Sequence, residues 1–314
     1  MDLLLTDEQS LLRDSAARLL ARAAGPKKLR ALRESNTGFD PALWREIAEA
    51  GWLAILVPES DGGLGLGATE LCLVAEQAGA ALLTLPVGIA AAAAPALAGS
   101  HLADAIAGRT LVLPALDRVV PFANVADAFL TDCAIVARER IVVTPARLVD
   151  GSAIGTLSVG GDVSERVRDA ALLALAAELV GVAGRALAIA LDYLKVRVQF
   201  DKPIGSFQAL QHRAADEFME VELAHSLVFQ VAARFDRGDA SAAMAAAAKA
   251  RAAQAALRVC KSALQFHGAM GYTDEHDIGL YFKRAMALAA AFGNDSIHRR
   301  RFARLAGIET GLAQ

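Results

Sequence analysis

The chain has 314 residues, enough for two or three structural units around a sizeable core. Its net charge of −3 gives no electrostatic footprint for nucleic acid or an anionic membrane surface, so neither is expected as a partner. Hydrophobic residues make up 55% but aromatics only 5%, so the apolar mass is mostly Ala, Leu and Val, a mix that favours helices.

Asp2 and Asp7 stand where a secretory leader would be basic, which implies a cytoplasmic chain. Cys72, Cys133 and Cys260 lie far apart in apolar surroundings; buried free thiols are expected, and no metal pair. Thr6-Asp-Glu-Gln9 reads as a capping box, followed by Leu11, Leu12, Ala16, Leu19 and Leu20 at helical spacing. After a polar break at Glu34 comes an amphipathic segment from Pro41 to Ala50, ended by Gly51, and a short apolar run from Trp52 to Val57. The glycines between Gly62 and Gly67 fit a sharp turn, because neither a P-loop nor a strand–GxGxxG–helix context is present. Helix is expected from Ala68 to Gly79 and from Val87 to Ala107. The apolar run from Ala78 to Gly99 is broken by Pro86 and Pro95 and reads as a packed helix–loop–helix, not a membrane span.

The pattern changes between Thr110 and Val163. Prolines interrupt short β-rich runs at Leu111–Leu113, Ala134–Val136, Ile141–Thr144 and Thr156–Val159, with Asp132 and Asp150 as turn residues. From Ser164 four long helical segments are expected, at 165–200, 207–236, 240–269 and 278–306. Between Ala170 and Ala190 the charges are Glu178 and Arg185 alone, as in a helix buried on most sides. The fold class is therefore mainly α: an N-terminal helical domain (1–108), a small reduced β domain (109–163) and a C-terminal four-helix bundle (164–314).

The stretch from Arg197 to Asp216 stops the first bundle helix at Lys202-Pro203 and restarts the second at Ser206-Phe207-Gln208. Arg197, Gln199, Gln208, Gln211 and His212 crowd this elbow with groups suited to polar ligands. Downstream, Gln265-Phe-His-Gly-Ala-Met-Gly-Tyr-Thr273 is a second polar, glycine-bearing segment. His212, His225, His267 and His298 have no metal-ligand spacing.

In Arg197-Val-Gln-Phe-Asp-Lys-Pro-Ile-Gly205, Phe207-Gln208 and Ala215-Asp216 the chain resembles the RxQFGxPIxxFQxxQxxLAD segment of the acyl-CoA dehydrogenase family. Gln265 to Thr273 resembles that family's QxxGGxGYT segment. Thr6–Gln9, Gly38-Phe-Asp40, Leu43-Trp44, Gly51-Trp52 and Val57-Pro-Glu with Gly62-Gly-Leu-Gly65 agree in the N-terminal half. The resemblance implies the same three-part fold, FAD as cofactor, an acyl-CoA substrate oxidised between its α and β carbons, and electron-transferring flavoprotein as the usual acceptor. It also implies that Arg197, Gln199, Phe200, Ile204, Phe207, Gln208, Gln265, Gly268, Ala269, Gly271 and Asn294 contact FAD, mostly its adenine–pyrophosphate end across a subunit interface.

Three departures accompany the resemblance. The family's two places for the catalytic glutamate fall on Phe292 and Ala171, neither of which can take a proton. Glu178 is the carboxylate deep in the same helix, but seven residues on, about 10 Å along the axis. The middle region lacks the stretches that face the flavin ring in the family, and Asp201 and Ala269 replace glycines. The leading expectation is a subunit that shares FAD with a full-length homologue in a hetero-oligomer, two chains of each, with a steroid side-chain acyl-CoA as substrate. Two alternatives remain: a homomeric enzyme with an atypical base such as Glu178 or Glu275, and a non-catalytic relative that binds FAD, acyl-CoA or a protein.

Overall fold

The computed structural model describes residues 5–34, 38–132, 134–158 and 163–308. Cys133 lies outside them; Cys72 and Cys260 are buried free thiols. Helix α1 (Asp7–Ala23) starts at the capping box: the Thr6 hydroxyl accepts from the Gln9 N–H at 3.2 Å and Gln9 Oε1 from the Thr6 N–H at 3.0 Å. The chain breaks at Ala24-Gly25 and resumes as α2 (Pro26–Glu34), a helix the sequence pattern did not resolve. Asp40 caps α3 (Pro41–Glu49), and Gly51 at φ 80° ends that segment. Trp52–Ala54 is a single 3₁₀ turn with all three side chains buried.

Helix α4 (Ala68–Ala80) takes its N-cap from a distant residue. Asp236, at the end of the second bundle helix, accepts from the N–H groups of Ala68 at 2.5 Å and Thr69 at 3.0 Å and from the Thr69 hydroxyl at 2.7 Å. The expected helix from Val87 to Ala107 is two, α5 (Val87–Ala93) and α6 (Gly99–Ile106); Pro95 allows one 3₁₀ turn and Gly99 sits at φ 55°.

Six short strands follow: β1 (Val112–Pro114), β2 (Val119–Pro121), β3 (Ala128–Leu130), β4 (Ile135–Ala137), β5 (Val143–Arg147) and β6 (Ala153–Leu157). They form two three-stranded sheets, β1-β3-β4 and β2-β6-β5, with β1 and β3 parallel and the other pairs antiparallel. The sequence pattern passes over strands β2 and β3, each three residues long.

The bundle comprises α7 (Glu165–Val196), α8 (Gln208–Asp236), α9 (Ala242–His267), α10 (Ile278–Ala290) and α11 (Asp295–Leu305). Between α7 and α8 lies a tight hairpin of β7 (Val198–Gln199) and β8 (Lys202–Pro203), so α7 stops at Val196 rather than at Lys202-Pro203. The last expected segment, 278–306, is split at Ala291–Asn294, where Phe292 takes φ 53° and Gly293 φ 108°. Helix α7 is long and apolar enough to cross a membrane, but 78% of its apolar window is buried inside the protein. Two glycines bring α4 backbone-close to it: a Cβ on Gly79 would overlap the Glu178 carbonyl, and one on Gly181 the Glu76 carbonyl.

That crossing places Glu178 in a buried ion cluster. Arg284 of α10 donates to Glu178 Oε1 at 2.5 Å, to Asp150 Oδ2 at 3.0 Å and to the Leu83 carbonyl at 2.9 Å. Asp150 is thus more than the turn residue expected: fully buried, it also accepts from the Ser152 N–H at 2.9 Å and hydroxyl at 2.6 Å. One guanidinium ties together the bundle, the β5–β6 turn and the α4–α5 connection.

Asp236→Ala should lower the free energy of unfolding by about 1–2 kcal/mol, the usual cost of a lost helix cap, seen as an earlier urea midpoint. Arg284→Met should cost about 3–5 kcal/mol, because two acids stay buried without their counter-charge. Glu178→Gln keeps the shape, removes one of two negative charges, and should cost less than about 2 kcal/mol by the same titration.

Candidate functional site

At the C-terminal end of α7, the Arg197 N–H donates to the Tyr193 carbonyl at 2.9 Å and its carbonyl accepts from Ile204 at 2.8 Å. Phe200 (φ 54°) and Asp201 (φ 60°) form the hairpin tip, two consecutive left-handed residues as a two-residue turn of this hand requires. Asp201 tolerates that backbone; Phe200 does so at a cost and projects into solvent, 86% exposed. Beneath it, Phe207 takes the Phe200 ring edge-on at 6.1 Å and the Lys202 ammonium over its face at 4.4 Å. Gln211, itself exposed, donates to the Gly205 carbonyl at 2.9 Å and braces the elbow. Arg197, Gln199 and Gln208 are exposed, Ile204 half-buried, and among the described residues Arg197 has no ion-pair partner.

The second polar segment meets the first here. The His267 ring, on the last residue of α9, stacks on Tyr193 at 4.4 Å and donates from Nδ1 to the Ala263 carbonyl at 2.7 Å. Gly268 then takes φ 58° and opens a 3₁₀ turn through Tyr272. A side chain at Gly271 would come within 2.7 Å of the Leu264 carbonyl, so that residue has to be small. Gln265 and Ala269 face solvent. One end of the bundle thus gathers Arg197, Gln199, Phe200, Ile204, Phe207, Gln208, Gln265, Gly268, Ala269 and Gly271. A guanidinium, several amides and exposed backbone form a surface suited to a phosphate-bearing, ring-containing ligand.

Asn294 lies elsewhere. Its side-chain oxygen accepts from the Ile297 N–H at 3.0 Å as the cap of α11. The neighbouring Gly293 carbonyl accepts from Lys249, which is 18 residues, about 27 Å, along α9 from the His267 end. Asn294 therefore does not share a ligand surface with the elbow of its own chain.

Phe292 and Ala171 do come together: both belong to one apolar cluster with Val167, Ala170 and Phe235. The loop carrying Phe292 is held by two side chains the sequence pattern gave no reason to single out. Lys249, fully buried, donates to the carbonyls of Leu288 at 3.1 Å and Ala289 at 3.2 Å at the end of α10. Burial pushes its ammonium down to about 7, while Asp295 favours the charged form. His298 Nε2 is hydrogen-bonded to the Phe292 carbonyl at 3.1 Å, and burial together with Lys249 pushes its imidazole down to about 4. Neither group is directed at a cleft.

The two alternative bases are no better placed. Burial raises the Glu178 carboxyl, but it is bound to Arg284, and the void beside it measures about 20 Å³, room for one water molecule and not for an acyl chain. Glu275 is exposed in the segment after Tyr272, at the far end of the bundle from Phe292.

Residues 6–104 match the profile of the acyl-CoA dehydrogenase N-terminal domain and residues 169–306 that of the C-terminal domain. The chain is 34% identical to acyl-CoA dehydrogenase IpdE2 of Mycolicibacterium smegmatis over 95% of its own length and 98% of that protein's. Among solved structures it is similar to a chain of the ChsE4–ChsE5 complex from Mycobacterium tuberculosis, at 27% identity and TM-score 0.87, covering 99% of this chain and 100% of that one. It is also similar to a chain of the steroid ACAD Tcur3481–Tcur3483, at 26% identity and TM-score 0.88, covering 96% and 98%. Two matched domains in order, a fold shared end to end and a relative of equal length make this chain a member of the acyl-CoA dehydrogenase family.

Proposed function

We propose that this chain is the non-catalytic, FAD-sharing subunit of a heteromeric acyl-CoA dehydrogenase. FAD is the family's cofactor, and when bound it takes up the hydride removed from the acyl-CoA. The observation that carries the reading is the contrast between the two ends of the bundle. The family's two base positions hold Phe292 and Ala171, which belong to one apolar cluster and cannot take a proton. Where the family grips the adenine end of the cofactor, an open polar surface is intact.

In this reading Arg197 pairs with the pyrophosphate through two parallel N–H donors. Gln265, Gln199 and Gln208 hydrogen-bond the ribose and adenine, and Gly268 admits the backbone of the turn to the ligand, whereas Gly271 is buried against Leu264. Asn294 takes no part at that surface. A full-length homologue supplies the base and the face against the flavin ring. Apolar side chains left in the open at the elbow and along α8, among them Val198, Phe200, Tyr272, Phe218, Met219 and Leu223, suit burial by such a partner. The relatives support the same reading: ChsE4–ChsE5 is a complex of two differently named chains, and Tcur3481–Tcur3483 is a steroid ACAD. A steroid side-chain acyl-CoA is the proposed substrate, and two copies of each chain the proposed assembly.

The chain purified alone should carry little flavin and reduce no dye with acyl-CoA; purified with the acyl-CoA dehydrogenase homologue encoded beside it, it should do both. Full loading and turnover by the chain alone would contradict the proposal. In the complex, Arg197→Ala should lower flavin retention after gel filtration by about tenfold, as expected for one lost charge-assisted pair; unchanged loading would remove Arg197 from the site.

A further inference from the structure

A second cleft lies on the side of the molecule where α1, α4 and α8 meet. It measures about 870 Å³, within the range of small-molecule sites. Leu5, Leu73 and Phe229 give it apolar lining, and Glu76 and His225 meet in its wall. Glu76 Oε1 and His225 Nε2 are 3.6 Å apart, beyond hydrogen-bonding distance, and the Glu76 side chain is only 18% exposed. Among the described residues no hydrogen bond reaches the Glu76 carboxylate, which opens onto the cleft. His225 rests against Phe229 at 4.4 Å.

The charges around the cleft favour a cation. Arg13 of α1 lines the cleft and favours the charged form of Glu76, but its guanidinium is engaged by Asp14 through two bonds of 3.0 and 2.9 Å. Glu222, one turn before His225 on α8, adds a negative charge felt by both Glu76 and His225. Burial lowers the His225 imidazole, which leaves it a neutral acceptor at physiological pH. Two acceptors thus stand 3.6 Å apart with no hydrogen bond between them. Among the described residues no three metal-binding side chains converge anywhere, which argues against a metal ion as the missing group.

We propose that this cleft binds an organic ammonium on an apolar body, its N–H groups donated to Glu76 and His225 and its hydrocarbon laid on Leu73 and Phe229. The site is independent of the flavin surface, which lies at the end of the bundle.

Calorimetric titration of the full-length chain with phenethylamine, phenethyl alcohol and hydrocinnamate separates charge from shape. The amine should bind at least about tenfold more tightly than the alcohol, or about 1.4 kcal/mol, and the acid should not bind. Glu76→Gln should abolish that preference. Since burial raises the Glu76 carboxyl to about 7, amine affinity of the unaltered chain should climb as pH rises through 7, while affinity for the alcohol stays level. Equal binding of amine and alcohol, an amine preference that survives Glu76→Gln, or a flat pH profile would each overturn the proposal.

Discussion

Arg284 is the constraint on which the rest of the molecule depends. A guanidinium with under a twentieth of its side chain exposed needs partners, and three parts of the chain supply them to its two terminal nitrogens: Glu178 from α7, Asp150 from the β5–β6 turn and the Leu83 carbonyl before α5. Helix α4 can bring Leu83 to that point because Gly79 and Gly181 let it cross α7 at backbone distance. The cluster fixes how the small sheets sit against the bundle.

The bundle has two ends with different chemistry, set by the direction of its helices. Helices α7 and α9 both finish at one end, so the elbow and the glycine turn converge there although more than sixty residues of sequence separate them. The loop between α10 and α11 is at the other end. There Lys249 and the His298 Nε2 bond main-chain carbonyls around Phe292, whose backbone is left-handed. A loop clamped in this way serves architecture, whereas the elbow leaves Arg197 and its glutamines open to a ligand.

Much of this was legible in the sequence. Capping residues and the amphipathic periods located α1, α3, α4 and the long bundle helices, and the two family segments meet at one end of the bundle. What the sequence could not convey follows from long-range geometry. Asp150 looks like a turn residue because its partner is 134 positions away. Asp236 reads as the end of a helix, yet it caps another helix 168 positions earlier. Lys249 lies in an alanine-rich stretch whose pattern says nothing about the carbonyls it meets. Asn294 belonged with the elbow only so long as the helix directions were unknown. The split of the last helix at Phe292-Gly293 had a glycine to mark it, but no proline.

The central claim is that this chain completes a flavin site whose reactive half lies on another chain. Native mass spectrometry of the purified, flavin-loaded assembly tests it most directly. The account predicts equal numbers of this chain and a longer homologue, with one FAD for each pair. A homo-oligomer of this chain carrying one FAD per subunit would contradict it.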